Sequence, residues 1–189
     1  QITLADGNIA AGASLTVDAT AQTDTNLLFS AANETNGTVT VNRGASTGTA
    51  SITLGQGNDT YTSTSTGVDT VTATAGNNTI TTGGGADVIT LGTGGDTVTA
   101  GAGDDTINVI TANLDEDHTV TGGAGTDTLT ITDAGTHVDA DFTNFSTVET
   151  ITFGNLDTTL TLGAESADAG IVTITDGTGV TTLTIGAGH

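Results

Sequence analysis

The chain has 189 residues, of which 22 are Asp or Glu and only one is Lys or Arg, so its formal net charge is −21. This balance excludes nucleic acid as a partner, because phosphate binding needs basic residues, and it disfavours direct membrane insertion or binding to an anionic membrane. The absence of Cys excludes disulfides and thiolate metal sites. A chain this acidic, with 34% hydrophobic residues, stays disordered unless a cation offsets the repulsion.

The N-terminal part, residues 1–53, consists of short runs rich in Thr, Val, Ile and Leu that recur every ten to thirteen residues. The runs lie at residues 2–4, 15–17, 27–29, 39–41 and 52–54. Their alternation of apolar and polar residues predicts β-strands. They fit the first coils of a β-solenoid, and a β-sandwich over residues 1–50 is the alternative, because its strands have similar spacing.

Residues 54–130 contain seven copies of a motif in which a Gly, an acidic or amide residue and an apolar or aromatic residue follow one another at intervals of two. The acidic or amide residue recurs every nine or ten residues in the first six copies, and all seven are Asp59, Asp69, Asn78, Asp87, Asp96, Asp105 and Asp127. The Gly residues are Gly57, Gly67, Gly76, Gly85, Gly94, Gly103 and Gly125. Repetition in phase over this length indicates a stacked repeat rather than a low-complexity tract.

Each copy predicts a short strand with an inward apolar residue and a tight turn. Glycine permits positive φ in such a turn and lets backbone carbonyls approach a ligand closely. Two copies form one coil, so turns on the same edge are about eighteen residues apart. One edge is then predicted to carry Asp69, Asp87 and Asp105, and the other Asp59, Asn78 and Asp96. Calcium takes six to eight oxygen ligands, and two stacked turns supply enough oxygens to bind it.

The consensus Gly-Gly-x-Gly-x-Asp-x-apolar-x, which residues 122–130 match most fully, resembles the RTX (repeats-in-toxin) family of secreted calcium-binding proteins. The resemblance implies an all-β fold, a right-handed parallel β-roll or β-solenoid, with several Ca²⁺ ions bound by the Asp, Asn and Gly positions given above. Asn78 supplies a neutral oxygen, so we expect its sites to be weaker and the Asp69/Asp87 and Asp87/Asp105 sites to be the strongest. Without calcium, we expect the chain to be partly disordered.

Residues 108–118 interrupt the calcium-binding region with an acidic insert. Asp115, Glu116 and Asp117 in this insert either complete a calcium site, within the chain or between molecules, or lie in a solvated loop. Asp104, beside a predicted ligand, is expected to point into solvent.

Residues 131–189 return to short Thr-rich runs, which predict further solenoid coils without ions. One longer gap, over residues 132–147, contains Phe142 and Phe145. We expect these two rings to pack beneath the solenoid.

The sequence offers no recognisable catalytic signature, and we expect that the chain is not an enzyme. It has neither a Gly-x-Ser-x-Gly elbow nor a His-Glu-x-x-His pattern. His118, His137 and Asp139 are interpreted as surface residues. Asp139 and Asp141 form an acid pair of a kind that arises by chance in an acidic chain.

Three functions are compatible with these features. The acidic, Thr- and Gly-rich composition resembles the calcium-dependent S-layer proteins of Gram-negative bacteria, which implies self-association into a lattice or filament at the cell surface. Cell-surface polysaccharide is a further possible partner. The alternatives are a calcium-stiffened module of a large RTX adhesin or toxin, and the accessory RTX domain of a secreted enzyme. In each case we expect a secreted, extracellular protein, and the lack of Cys is compatible with type I secretion.

Overall fold

The computed structural model describes residues 1–23, 25–154, 157–179 and 181–189, which form a parallel β-solenoid. Within these residues nineteen strands, numbered in chain order, form three sheets. The nine-stranded sheet contains β1 (Ile2–Thr3), β3 (Leu27–Ser30), β5 (Ala50–Thr53), β7 (Asp69–Thr72), β9 (Val88–Thr90), β11 (Thr106–Val109), β13 (Thr128–Ile131), β16 (Thr150–Phe153) and β18 (Thr173–Thr175). The seven-stranded sheet contains β2 (Ser14–Ala19), β4 (Thr38–Arg43), β6 (Thr60–Ser63), β8 (Thr79–Gly84), β10 (Thr97–Ala102), β12 (Thr119–Ala124) and β15 (Phe145–Ser146). The third contains β14 (Gly135–His137), β17 (Thr158–Leu162) and β19 (Thr181–Ile185).

Each coil contributes inward apolar side chains to one continuous core. In the nine-stranded sheet, a single register position is occupied by Phe29, Ile52, Val71, Ile89, Ile107, Leu129 and Ile151, all buried. In the seven-stranded sheet, the matching position is occupied by Val41, Tyr61, Ile80, Val98, Val120 and Phe145, also buried. The apolar residue of each predicted repeat therefore supplies the interior, and each coil packs mainly on its neighbours.

The strands of residues 1–53 belong to the same two large sheets as the repeats. Thus β3 pairs in parallel with β5, and β5 with β7 at the start of the repeat region. This continuity confirms the all-β parallel solenoid. It also distinguishes the solenoid from the sandwich alternative, whose antiparallel strands would pair within residues 1–50 rather than in parallel with the repeat region.

The acidic insert widens one coil without leaving the solenoid. The chain continues from β11 through a 3₁₀ turn at Thr111–Asn113, and Leu114 then packs into the core. Asp115, Glu116 and Asp117 are exposed, as a solvated loop predicts. The insert therefore adds length at a corner while the strands on either side keep their pairing.

The longer gap after β13 contains β14, a 3₁₀ turn at Asp139–Phe142 and the short β15. Phe142 and Phe145 are buried there and pack edge to face, with ring centroids 6.0 Å apart, as predicted. A short helix, α1 (Ala164–Ala169), was not predicted, and it ends at Gly170 with a φ of 96°. The helix is short and much of its surface is polar and exposed, so its sequence lacks the apolar periodicity that predicts a helix.

Candidate calcium sites

Four aspartates and Glu149 form a continuous hydrogen-bonded column along one edge of the solenoid. Each carboxylate oxygen accepts the backbone N–H of the residue at the same position one coil earlier: Asp87 from Asp69 at 2.7 Å, Asp105 from Asp87 at 2.7 Å, Asp127 from Asp105 at 2.9 Å, and Glu149 from Asp127 at 2.8 Å. The first two steps are 18 residues and the next two are 22. We call Asp69, Asp87, Asp105, Asp127 and Glu149 the first ladder.

The glycines of the motif place a column of backbone carbonyls beside each ladder. A Cβ added at Gly85 would lie 2.9 Å from the Gly67 carbonyl oxygen, and one at Gly103 would overlap the Gly85 carbonyl oxygen. The same relation to the turn one coil earlier holds for Gly57, Gly67, Gly76, Gly94 and Gly125. Of all seven, Gly76, Gly85, Gly94, Gly103 and Gly125 also have positive φ. Glycine is therefore needed at these turns both for the backbone conformation and for the close stacking.

The first ladder leaves buried negative charge without a partner. In the described structure, Asp87, Asp105 and Asp127 each have an Oδ2 atom that is buried and accepts no hydrogen bond. The Thr82 hydroxyl lies near Asp87 but donates to the Ala100 carbonyl oxygen at 2.7 Å. Because an uncompensated buried carboxylate is costly, this edge needs either protons or a cation.

The proton affinity of these groups reflects the same environment. Burial raises the pKa of the Asp87 carboxyl to about 6, with smaller contributions in the same direction from the charges of Asp69 and Asp105. Burial likewise raises the pKa of Asp127 to about 6, and Asp105 and Glu149 add to the effect. The pKa of Asp105 is also raised, mainly by burial. These groups hold protons more strongly than ordinary aspartates because burial disfavours the charged carboxylate and the neighbouring acidic side chains add to the effect.

The opposite edge carries a second ladder, which consists of Asp59, Asn78, Asp96 and His118. Asn78 accepts the Asp59 N–H at 2.9 Å, Asp96 accepts the Asn78 N–H at 3.0 Å, and His118 Nδ1 accepts the Asp96 N–H at 3.1 Å. This ladder is satisfied internally to a greater extent than the first. The Asn78 amide donates to Asp96 Oδ1 at 2.9 Å.

The second oxygen of each carboxylate in the second ladder also has a partner. Asp59 Oδ2 accepts the Gly55 N–H at 2.8 Å, and Asp96 Oδ2 accepts the Gly92 N–H at 3.3 Å. The two edges thus differ. The first ladder has unpartnered carboxylate oxygens, whereas hydrogen bonds within the second ladder and to nearby backbone N–H groups satisfy its carboxylates without a cation.

The first ladder has the donor chemistry that calcium prefers. Carboxylate oxygens and glycine carbonyls are hard ligands, and several oxygens per ion are required. Within the described residues, no group of three or more Asp, Glu or His side chains comes together as a self-contained metal cluster. Sites on this edge would therefore combine the Asp87, Asp105 and Asp127 carboxylates with backbone carbonyls of adjacent turns. A bound Ca²⁺ ion supplies two positive charges to a column that otherwise repels itself.

Sequence reasoning missed three residues that end the ladders. Glu149 and His118 take ladder positions after 22-residue steps, where the nine-residue register no longer applies. Arg43 forms a buried ion pair with Asp69, 26 residues away in sequence. A search for acceptor side chains 22 residues after Asp96 and Asp127 would have found the first two, whereas nothing in the motif indicates Arg43.

Two predictions about surface histidines are wrong. His118 and His137 are each only 1% exposed. The first is an acceptor in the second ladder, and the second stacks on Phe153 at 6.4 Å between ring centroids. The alternation pattern around these two histidines did not reveal that their side chains are buried.

Asp139 is half-buried and has a structural role. Its carboxylate accepts backbone N–H groups at the start of α1, from Gly163 at 2.7 Å, Ser166 at 3.0 Å and Glu165 at 3.1 Å. These bonds satisfy donors that a helix start leaves free. Asp104 is exposed as predicted, and it accepts the Thr126 N–H at 2.9 Å.

The fold and the first ladder define a calcium-binding parallel β-roll. Residues 63–98 and 90–109 match the family model of the RTX calcium-binding nonapeptide repeat, which is built of four copies. The segment over residues 63–109 is thus an RTX β-roll, and RTX nonapeptide repeats bind several calcium ions. Comparison with curated proteins and with solved structures found no match.

Proteins with RTX repeats are typically secreted and extracellular. Among the described residues, no helix has both the length and the apolar character needed to cross a membrane.

Proposed function

We propose that the chain is an extracellular structural protein that folds on binding calcium and associates with copies of itself into a surface layer or filament. The observation that supports calcium-dependent folding is the column of buried, unpartnered Oδ2 atoms at Asp87, Asp105 and Asp127. Calcium binding to the folded form alone stabilises it, because the unfolded chain has no preformed site.

Self-association is supported by the ends of the solenoid. Within the described residues, the strand at each end of a sheet has one edge without a strand partner, and such edges favour pairing with another chain. Val172, Leu183 and Ile185 near one end are 80%, 46% and 53% exposed, and Ile2 near the other is 43% exposed. A contact between opposite ends of two copies does not close on itself, so it would extend into a filament or lattice.

A structural role is favoured over a catalytic one by the positions of the titratable groups. His118 and His137 lie inside coils, and Asp139 is occupied with the backbone of α1. The alternatives are a stiff module of a larger adhesin or toxin and the accessory domain of a secreted enzyme. Surface polysaccharide is a possible additional partner of the assembled form.

A calcium titration followed by circular dichroism, with light scattering and electron microscopy on the same samples, tests the proposal. We expect calcium to increase the β-structure and the melting temperature, chelator to lower both, and ordered assemblies to form in the calcium-loaded sample. A calcium-folded chain that stays monomeric would support the adhesin-module alternative. Unchanged structure and thermal stability on adding calcium would contradict the proposal.

A further inference from the structure

Arg43 is the only Lys or Arg in the chain, and it is buried inside the solenoid with 2% of its surface exposed. It is the last residue of β4 and faces inward, in register with Ser63 of the next coil. A lone buried guanidinium in a chain of net charge −21 requires a specific partner, because burying an unpaired cation is very unfavourable.

That partner is the first carboxylate of the first ladder. Arg43 Nη1 bonds Asp69 Oδ1, and Nη2 donates to the Gly48 carbonyl oxygen and to Ser46 Oγ, the latter at 3.3 Å. The Tyr61 hydroxyl donates to the other oxygen, Asp69 Oδ2, at 2.9 Å. Asp69 therefore has both oxygens satisfied, whereas Asp87, Asp105 and Asp127 each have one that is not.

The carbonyl that Arg43 binds belongs to the glycine column of this edge. Gly48 lies against Gly67, as Gly67 lies against Gly85 and Gly85 against Gly103 in the following coils. Arg43 thus joins a turn carbonyl of one coil to a ladder carboxylate of the next. These are the two kinds of oxygen that calcium would take at the later turns.

The coil before Asp69 has no carboxylate at the ladder position. Ala50 is paired there with Asp69, and its N–H donates to the Val68 carbonyl oxygen at 2.9 Å instead of to a side chain. The first ladder consequently begins at Asp69. On this edge, Asp69 marks the junction between the N-terminal coils, which have no predicted calcium-binding turns, and the coils of the repeat region, which do. Arg43 lies at this junction.

We propose that Arg43 is a built-in cation that takes the place of a calcium ion at the N-terminal end of the first ladder. Calcium binding on this edge then begins beyond Asp69, and the junction is held without metal. The inference rests on the proposed calcium-dependent fold, and it adds that the count of ions is set by an arginine. Asp69 is then no longer expected to bind calcium, because its carboxylate is shared between the Arg43 guanidinium and the Tyr61 hydroxyl.

Replacing the guanidinium tests this directly. The variants are Arg43→Met, which removes the cation at similar volume, Arg43→Lys, which keeps a positive charge, and the double variant Arg43→Met with Asp69→Asn, which removes both charges. Calcium bound per chain is measured by equilibrium dialysis and elemental analysis at saturating calcium. We expect one additional ion in Arg43→Met and the wild-type count in the other two variants.

A second readout reports on the junction itself. Tyr61 is the only Tyr, and the chain has no Trp, so terbium luminescence excited through tyrosine reports ions near Asp69. We expect brighter luminescence in Arg43→Met than in wild type, and no increase in Arg43→Lys or in the double variant.

Several outcomes would overturn the inference. These are a wild-type ion count in Arg43→Met, an additional ion in Arg43→Lys, or an Arg43→Met protein that saturating calcium cannot fold while Arg43→Lys folds. The last result would show that calcium cannot replace the guanidinium. A wild-type protein that binds no calcium would contradict the proposed function instead, so the two failures are distinguishable.

Discussion

Asp87 accepts the backbone N–H of Asp69 through Oδ1 at 2.7 Å, while its Oδ2 is buried and accepts no hydrogen bond within the described structure. One side chain thus joins two coils through its first oxygen and leaves the second available to a cation. Asp105 and Asp127 repeat this arrangement one and two coils further along. The like charges of this edge repel one another, and bound calcium would offset that repulsion.

The first prediction separates the charge of Asp87 from its hydrogen bond. Asp87→Asn keeps an acceptor for the Asp69 N–H and removes the negative charge. With calcium, we expect it to lower the free energy of unfolding by about 1–3 kcal/mol, because a charged ligand is lost. In chelator, we expect little loss or a gain, because a buried unpaired charge is removed. Thermal unfolding with and without calcium measures both effects.

Asp104→Asn is the matched control, because Asp104 is adjacent to the ladder in sequence but exposed. The amide oxygen of the variant can still accept the Thr126 N–H. We therefore expect the free energy of unfolding to change by less than about 0.5 kcal/mol, with or without calcium. Equal effects of the two substitutions would contradict the assignment of Asp87, rather than its neighbours in the turn, as a calcium ligand.

The second prediction concerns pH in the absence of calcium. Burial raises the pKa of Asp87 and Asp127 to about 6, above the value of about 3.9 for an unfolded aspartate. Between these values the folded state binds more protons than the unfolded state, so its stability falls as pH rises through this window. We therefore expect the chelated protein to melt at a higher temperature at about pH 4.5 than at about pH 7.5.

Calcium reverses this dependence, because the ion and the protons compete for the same carboxylates. Calcium affinity should rise as pH increases through about 6, the pKa of Asp87 and Asp127. Isothermal titration calorimetry in buffers of different ionisation enthalpy would detect the released protons. Identical melting temperatures of the chelated protein at both pH values would show that these carboxylates are not buried as described.

The third prediction tests coil stacking with a pair of glycines. Gly103 has a φ of 132°, and a Cβ there would overlap the Gly85 carbonyl oxygen. We expect Gly103→Ala to lower the free energy of unfolding by about 1–3 kcal/mol or more, because both the backbone conformation and the carbonyl column are disturbed.

Gly154 provides the control. A Cβ added at Gly154 would meet open space, and the φ of Gly154 is not positive. Gly154→Ala should therefore change stability by less than about 1 kcal/mol. Denaturant unfolding of the calcium-loaded variants would measure both, and equal losses would contradict the stacking.

Much of this architecture could be predicted from the sequence, because its central repeats have a fixed phase. A Gly, an Asp and an apolar residue at constant intervals determine the turn, the edge and the core position of each coil. The assignment of Asp69, Asp87 and Asp105 to one edge follows from this spacing and agrees with the hydrogen bonds.

Other features depend on contacts that no short-range pattern encodes. Arg43 meets Asp69 across 26 residues, and only the coil length of the folded chain brings them together. His118 takes a ladder position after the insert lengthens the coil to 22 residues, and a histidine in an acidic loop looks like a surface residue in sequence. Local periodicity therefore predicts the repeating part, and the ends of the ladders required the structure.

The last prediction concerns that histidine. His118 Nδ1 accepts the Asp96 N–H inside the solenoid, so His118→Leu leaves a buried donor without a partner. We expect a loss of about 1–3 kcal/mol in the free energy of unfolding of the calcium-loaded protein.

His118→Asp is the informative counterpart, because it restores an acceptor and places an aspartate where the second ladder would continue. We expect His118→Asp to recover part of the lost stability with calcium and to be the less stable of the two variants in chelator, since it buries another negative charge. Thermal unfolding of both variants with and without calcium provides the measurement. If calcium stabilises His118→Asp no more than it stabilises His118→Leu, this end of the second ladder holds no ion.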